Sequence, residues 1–325
     1  MLSDRLLGFA AERYDFDRKS LRFLAGGRDA SRQFYTFEKQ GKRYVMRFTK
    51  CRAGFIGQTR AEMDWLCYLA KKGIGVCCPL RARGGELAAL AAENSESYVI
   101  AAYSMVEGKR WDPNDPNLWN EKVFFHWGRA MGDMHRATKE YKPPGGTDRR
   151  PEYKSIISGS VKAFPSVHRV AEELNAAIAA LPKDRDSYGL VHYDFGPSNF
   201  LIEEERINVF DFDDCAYAWY ALDIGVALTL GLWFGRRNEA GTDFTNDIIE
   251  YFLRGYLSAN HLDDFWLPKI PMFMRLCQIA GFSLTQHREN PDDARQRELI
   301  YNIENNIFLS ACAIDDSLFM NRRPP

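Results

Sequence analysis

The chain has 325 residues, of which 46% are hydrophobic and 27% charged, with Lys+Arg 43 against Asp+Glu 44. Such a near-neutral balance argues against bulk electrostatic binding to nucleic acid or to an anionic membrane. The seven cysteines follow no repeating spacing, which favours reduced thiols and a cytoplasmic protein. A chain of this length accommodates two domains or lobes.

The first element along the chain is predicted to be an amphipathic helix, because Arg5 and Glu12 stand among apolar residues. This pattern lacks the uninterrupted apolar core of a signal peptide. The longest charge-free apolar run, residues 224–235, is too short to cross a bilayer. We therefore expect no membrane partner.

Residues 20–50 alternate in the manner of antiparallel strands, with turns predicted at Gly26–Gly27 and Gln40–Gly41. Residues 57–72 have the apolar spacing of a helix, and residues 97–106 that of a further strand. The pattern predicts a small sheet with one helix inserted after its third strand.

Beyond a segment rich in Pro and Asn, the pattern changes to long helices. Two short strands interrupt them and are joined by the acidic turn at residues 203–206. We expect an α+β protein with a small β-rich lobe over residues 1–103 and a larger helical lobe over residues 104–325. A cleft between two lobes is the usual place for a ligand. The predicted helices and strands of the second lobe are 122–140, 161–181, 200–202, 207–210 and most of the chain from 242 onward.

The segment "LVHYDFGPSNFLIEEERINVFDFDD" carries the strongest chemical signal, with Asn199 five positions and Asp211 seventeen positions after Asp194. Phosphoryl transfer needs a carboxylate to accept a hydroxyl proton and hard oxygen ligands to hold Mg²⁺ against the ATP phosphates. Asp194 offers the first. Asn199 and Asp211 offer the second, because a short hairpin between them folds the two strand ends together.

The pattern H-x-D-x-x-x-x-N, followed by two short strands and an apolar-apolar-Asp sequence, resembles the aminoglycoside phosphotransferase and choline kinase family. Residues 219–224, "WYALDI", are similar to the family's Trp-Tyr-x-x-Asp-Ile stretch. The resemblance implies a bilobal protein-kinase-like fold, ATP and Mg²⁺, and a small-molecule hydroxyl as phosphate acceptor. It also implies that Asp194 is the catalytic base, that Asn199 and Asp211 bind metal, and that Asp223 supports the catalytic loop from behind.

The same resemblance assigns a nucleotide site in the small lobe. Arg47 stands on the third strand where the family has a lysine, and Glu62 on the following helix is its expected partner. Arginine is a departure, since its planar fork is not interchangeable with an ammonium group at a phosphate. The other expected nucleotide contacts are Gly27 and Ser31 over the phosphates, Val45 and Tyr103 around the adenine, and Ser104 and Val106 at the hinge.

Several further residues receive expectations from the resemblance. Tyr193 replaces the glycine that is common after the motif's His, and His135 is expected to be a buried histidine that packs the catalytic loop. From strand spacing rather than from the resemblance, Asp213 points to the same side as Asp211 and is expected to help with metal or acceptor, and Asp214 is expected to be a turn residue. The alternative that one or both only cap a turn or accept backbone N–H groups stays open. In this family the C-terminal helices and the insert around residues 140–165 form the acceptor pocket. Its candidate residues here are Trp219, Tyr220, Trp233 and Arg275.

Three other functions remain open at this point. A Ser/Thr kinase of the same fold would use the same chemistry on a protein acceptor. A nucleotide-binding pseudokinase is suggested by Arg47. A metal-dependent phosphohydrolase would use Asp211 as nucleophile and Asp213 as acid. Against the last, the motif lies past residue 200, and Cys215 stands where Thr or Val is expected.

Overall fold

The structure is a computed structural model. It describes residues 2–27, 31–51, 55–93, 95–145, 149–153, 164–285, 294–305 and 314–320. The chain divides into two compact units. The first comprises Met1–Glu107, Glu140–Pro151 and Asn208–Asp213, and the second Gly108–Lys139, Glu152–Ile207 and Asp214–Pro325. Besides its N-terminal residues, the first unit thus contains two segments from later in the chain.

The first unit is built on a six-stranded sheet in the order β1-β2-β3-β6-β4, with β5 also paired to β6. All its pairs are antiparallel. Two helices accompany it, and the second follows the third strand as the sequence predicts. The elements are α1 Asp4–Tyr14, β1 Arg22–Gly26, β2 Arg32–Lys39, β3 Lys42–Cys51, α2 Phe55–Lys71, β4 Pro79–Leu80, β5 Ala88–Glu93 and β6 Glu96–Ser104.

The β2–β3 hairpin closes on the turn expected from the sequence. Lys39 pairs with Lys42 across Gln40 and Gly41, whose φ angles are 51° and 72°. Two consecutive residues at positive φ match the right-handed twist of the flanking strands. Apolar residues on one face of the sheet then pack with α1, where the Tyr14 hydroxyl donates to the Ile100 carbonyl at 2.8 Å.

The second unit is mainly helical, with two two-stranded sheets that pair β7 with β10 and β8 with β9. A separate apolar cluster joins α4, α7 and α8. Where the structure describes the chain, the predicted helices and strands of this part are present, with ends that differ by a few residues. Its elements are α3 Glu121–Thr138, α4 Pro165–Ala179, β7 Tyr188–Val191, β8 Phe200–Glu203, β9 Arg206–Val209, β10 Ala216–Trp219, α5 Tyr220–Gly235, α6 Thr245–Ala259, α7 Ile270–Thr285 and α8 Ala294–Glu304.

Helices α3 and α6 approach each other closely because glycines lie at their contact. A Cβ atom on Gly128 would lie 1.9 Å from the Phe252 carbonyl oxygen, and one on Gly255 would lie 1.9 Å from the Phe125 carbonyl oxygen. Each glycine faces the backbone of the other helix, so the two backbones are in direct contact. Any residue with a Cβ atom at either position would prevent this contact. The glycines therefore set the separation of the helix pair that carries His135.

Within the residues described, no helix is both long and apolar enough to cross a membrane. The most apolar helix, α5, has 16 residues and is buried over most of its length.

We expect Gly255→Ala to lower the free energy of unfolding by about 1–3 kcal/mol, because the new methyl group forces two helix backbones apart. Chemical denaturation monitored by circular dichroism measures this change. Gly8→Ala in α1 is the matched control, since nothing lies within 4 Å of its added Cβ. A helix-interior Gly→Ala change there should stabilise by about 0.5–1 kcal/mol. Equal effects of the two substitutions would contradict the steric explanation.

Candidate active site

The catalytic-loop candidates follow β7 in the second unit. The chain leaves the strand at Val191 and turns at Tyr193, whose φ is 71°. A left-handed φ is unfavourable for a bulky side chain and natural for glycine, so Tyr193 adopts a backbone conformation that glycine would adopt without strain. The Asp194 backbone N–H donates to His192 Nδ1 at 3.2 Å, which tightens the turn around the catalytic candidate.

Asp223 holds this loop from α5, as the resemblance implies. Its Oδ2 accepts from the His192 backbone N–H at 3.1 Å, and its Oδ1 accepts from the Tyr193 backbone N–H at 2.7 Å. The carboxyl group is fully buried, so these bonds replace water for a charged group. Asp223 thereby stabilises the strained conformation of Tyr193 and fixes the start of the loop.

His135 supplies a further donor to the same carboxylate. Its Nε2 lies 3.0 Å from Asp223 Oδ2, and its Nδ1 lies 3.0 Å from the Tyr256 hydroxyl, which accepts from Asn260 Nδ2 at 2.8 Å. One assignment satisfies all three groups: Nε2–H donates to Asp223, and the Tyr256 hydroxyl donates to Nδ1. Burial lowers the pKa of His135 although the hydrogen bond to Asp223 raises it, so the ring is neutral. His135 is the buried loop-packing histidine expected from the sequence.

Asp194 and Asn199 are brought into direct contact. Asn199 Nδ2 donates to Asp194 Oδ2 at 2.8 Å and to the Asp194 backbone carbonyl at 2.7 Å. Asn199 is buried, whereas Asp194 is half-buried. With its amide nitrogen committed to Asp194, Asn199 presents its amide oxygen as the atom suited to a cation. The loop is also tied to α3, because Trp127 Nε1 donates to the Phe195 carbonyl at 3.2 Å.

Asp211 lies in the first unit, just after β9, at a φ of 65°. The neighbouring Phe212 ring is buried edge-on against Trp65 of α2, with centroids 5.6 Å apart. Cys77 is close by, and burial raises the pKa of its thiol, with smaller contributions from Glu62 and Asp211. The anchored phenylalanine and the left-handed turn set the direction in which Asp211 leaves the strand.

The Arg47–Glu62 pair expected from the sequence is present in the first unit. Arg47 Nη2 donates to Glu62 Oε2 at 2.7 Å, and the side chains are 4% and 1% exposed. Burial alone would lower the pKa of Arg47, but Glu62, Tyr103 and Asp213 raise it well above its ordinary value. The guanidinium is therefore charged, in a position that resembles that of the family's phosphate-binding lysine.

The other nucleotide candidates lie on β3 and β6 or in the segments next to strands of the same sheet. Val45 lies opposite Tyr103 in the β3–β6 register, and the Tyr103 hydroxyl donates to Glu62 Oε1 at 2.8 Å. The Ser104 backbone N–H donates to the Cys78 carbonyl at 2.7 Å, so its carbonyl is the group left to consider for a nucleotide. Gly27 and Ser31 flank residues 28–30, which lie outside the described residues. Nucleotide contacts at these positions and at Val106 remain predictions.

Asp213 has a partner that sequence reasoning missed. Its Oδ2 lies 2.6 Å from Arg32 Nη1 as an ion pair without hydrogen-bond geometry, and its side chain is 8% exposed. Arg150 donates to the backbone carbonyl of Asp213. Arg32 is a cation at the start of β2, next to the expected phosphate loop, and this position was the sequence signal for an ion pair there. Nothing in the local pattern around Arg150 pointed to this contact.

Three of the four acceptor candidates, Trp219, Tyr220 and Arg275, make contacts within the second unit. Trp219 Nε1 donates to the Pro182 carbonyl at 2.8 Å, and the Tyr220 ring stacks on His135 with centroids 4.6 Å apart. Arg275 donates through Nε to the Ile303 carbonyl near the end of α8 at 3.2 Å. Much of the expected insert, at 146–148 and 154–163, lies outside the described residues. Acceptor binding by these side chains remains a prediction.

The donor set suits magnesium. Asn199 and Asp211 offer an amide and a carboxylate oxygen, which are hard ligands. Across the described ranges, no group of three or more His, Cys, Asp or Glu residues lies together as a metal site. Asn199 belongs to the second unit and Asp211 to the first, and metal binding by these two residues remains a prediction.

We expect the stability of the protein to fall as the pH drops from 7.5 to 5.5, with His135 contributing. Its folded pKa lies below the ordinary 6.5, so the unfolded chain binds more protons as the pH falls through that value. His135→Gln should show a smaller loss of thermal midpoint over this interval, measured by calorimetry at both pH values. His261→Gln, at an exposed position, is the control and should behave like the unaltered protein. Identical pH dependence in His135→Gln and the unaltered protein would contradict the assignment.

Comparisons with known proteins identify the family and the fold of the chain. A model of the phosphotransferase enzyme family, APH, matches residues 20–264. The amicoumacin kinase of Bacillus subtilis (strain 168) is 34% identical over 292 residues, which cover 86% of this chain and 84% of that protein. The solved structure of amicoumacin kinase hAmiN in complex with AMP-PNP, Ca²⁺ and Ami superposes with a TM-score of 0.82 at 26% identity. The superposition covers 97% of this chain and 96% of the hAmiN chain.

A microcompartment-associated aminopropanol kinase shares the fold, with a TM-score of 0.68, 20% identity and 94% of each chain covered. The α+β, kinase-like fold predicted from the sequence is thus confirmed. The family match spans both the β-rich N-terminal part and most of the helical part of the chain. On these grounds, the chain belongs to the phosphotransferase enzyme family.

Proposed function

We propose that this protein transfers the γ-phosphoryl group of ATP to a hydroxyl group of a small molecule, with Asp194 as the catalytic base. The observation that carries the proposal is the contact between Asp194 and Asn199 at 2.8 Å in a loop held by Asp223. A half-buried carboxylate in a fixed loop can orient an acceptor hydroxyl and take its proton as the new O–P bond forms, while the bond from the γ-phosphorus to the β,γ-bridging oxygen breaks and ADP leaves. Most of the rate enhancement then comes from positioning and charge stabilisation.

The phosphates of ATP are assigned to residues of the first unit. Arg47 supplies a buried, permanently charged guanidinium, and Gly27 and Ser31 supply backbone and hydroxyl donors from the expected phosphate loop. Val45 and the Tyr103 ring offer apolar surface to the adenine. Asn199 and Asp211 are the residues that hold Mg²⁺, which neutralises phosphate charge when it is bound.

We propose that the acceptor is an amicoumacin-type antibiotic. The support is the 34% identity to the Bacillus subtilis amicoumacin kinase over most of both chains, together with the TM-score of 0.82 to hAmiN. The proposal extends to a cytoplasmic location, where ATP is available. The six described cysteines form no disulfide bond, which is consistent with a reducing compartment.

We expect Asp194→Asn to lower kcat by roughly 10²- to 10⁴-fold, because the amide cannot accept the hydroxyl proton. Nucleotide binding should be retained, as measured by calorimetry with AMP-PNP. Asp186→Asn removes a carboxylate of the same unit whose side chain is 81% exposed and is the matched control, with unchanged kcat. Full activity of Asp194→Asn would show that another group is the base.

We expect ATP turnover to depend on amicoumacin when ADP release is measured across a panel of amicoumacin, spectinomycin, aminopropanol and a Ser/Thr-containing peptide. Mass spectrometry should find one added phosphoryl group on amicoumacin. Phosphorylation of the peptide in preference would favour the protein kinase alternative. Tight nucleotide binding without turnover on any acceptor would favour the pseudokinase, and phosphate release without acceptor the phosphohydrolase.

A further inference from the structure

Arg47 and Tyr103 share one face of the first unit's sheet. In the antiparallel β3–β6 pair, Val45 lies opposite Tyr103 and Arg47 lies opposite Ala101. Residues two apart on a strand point to the same face, so Arg47 and Tyr103 are diagonal cross-strand neighbours. The Arg47 guanidinium carbon lies 5.4 Å from the centroid of the Tyr103 ring, within the range of a cation–π contact.

Glu62 connects the two side chains through its separate oxygens. Oε2 accepts from Arg47 Nη2 at 2.7 Å, and Oε1 accepts from the Tyr103 hydroxyl at 2.8 Å. All three side chains are buried, with relative exposures of 4% for Arg47, 1% for Glu62 and 7% for Tyr103. Water therefore does not compete with these hydrogen bonds, and the bond from Tyr103 helps to fix the Glu62 carboxylate that Arg47 contacts.

The tyrosine changes how arginine and glutamate pair. An arginine and a carboxylate often pair through two parallel N–H···O bonds, which would use two guanidinium donors. Here the tyrosine hydroxyl occupies Oε1, and among the described residues Glu62 receives one guanidinium nitrogen of Arg47. The ring under the guanidinium restrains its plane. In this arrangement Arg47 donates to Glu62 through Nη2, while Oε1 faces the tyrosine hydroxyl.

We propose that Tyr103 is a positioning residue that adapts the site to arginine at position 47, by holding Glu62 so that the guanidinium keeps donors directed to the ATP phosphates. A lysine has a compact ammonium group with no plane to orient, so it does not need this support. The inference rests on the proposed role of Arg47 at the phosphates. It assigns to Tyr103 a function separate from the apolar adenine contact expected from the sequence.

A double-mutant cycle tests the assignment. Tyr103→Phe keeps the ring and removes the hydroxyl, and its effect is measured on the full chain in the native and the Arg47→Lys backgrounds. The readout is the Kd for AMP-PNP with Mg²⁺ by calorimetry, together with the KM for ATP. We expect Tyr103→Phe to weaken binding by about tenfold in the native background, since a hydrogen bond to a charged group is lost. In the Arg47→Lys background the expected change is below about twofold, because an ammonium group has no plane to be oriented.

Tyr14→Phe is the matched control. The Tyr14 hydroxyl is also buried in the first unit and donates to the Ile100 carbonyl at 2.8 Å, away from Glu62. This substitution should lower the thermal midpoint without changing nucleotide affinity. Glu62→Gln provides a second variant if Tyr103→Phe folds poorly. Arg47 and Tyr103 donate to separate oxygens of Glu62, and in glutamine one of these oxygens becomes an NH₂ group that cannot accept, so we expect weaker nucleotide binding in the native background.

The outcomes separate this assignment from the proposed function. Equal losses of affinity in both backgrounds, or no loss in the native background, would overturn the positioning role while leaving the kinase assignment intact. Failure of the unaltered protein to bind AMP-PNP would overturn the proposed function and the positioning role together. A larger loss in the native background than in the Arg47→Lys background, with Tyr14→Phe neutral in binding, is the expected result.

Discussion

The loop that carries Asp194 in the second unit depends on one buried carboxylate, that of Asp223. It accepts the backbone N–H groups of His192 and Tyr193 and faces Nε2 of His135. A charged group removed from water must be satisfied by its surroundings, and these donors achieve that while they fix the loop before Asp194. The strained φ of Tyr193 persists because the carboxylate holds its N–H in place.

The support behind Asp223 extends through the helix pair of the second unit. His135 on α3 and Tyr256 on α6 are hydrogen-bonded, and the glycines at the α3–α6 contact allow the helices to approach closely enough for that bond. The close helix packing therefore positions His135, and His135 in turn supports the Asp223 carboxylate. The geometry of the loop that carries Asp194 is thus set in part by helix packing far from it in the sequence.

In the first unit, buried charge is satisfied by an ion pair. Arg47 and Glu62 neutralise each other, and Tyr103 completes the carboxylate's hydrogen bonding. A buried ion pair is costly to desolvate and contributes little stability by itself, so its presence is better explained by the charge that it holds ready for a ligand. The second ion pair joins Arg32 to Asp213, whose charge also raises the pKa of Arg47. Both pairs place cations next to the residues expected at the phosphates.

Local sequence determined the parts of the site whose residues are close together in the chain. The spacing of Asp194 and Asn199 placed both in one loop, the strand pattern placed Arg47 before a helix bearing Glu62, and the apolar-apolar-Asp ending marked Asp211. Tertiary structure decided the partners: His135 meets Asp223 across 88 residues, and Tyr103 meets Glu62 across 41. Arg32 and Arg150 reach Asp213 from still other segments. Such contacts depend on strand register and helix packing, and local periodicity encodes which face a side chain occupies but not which distant side chain it meets there.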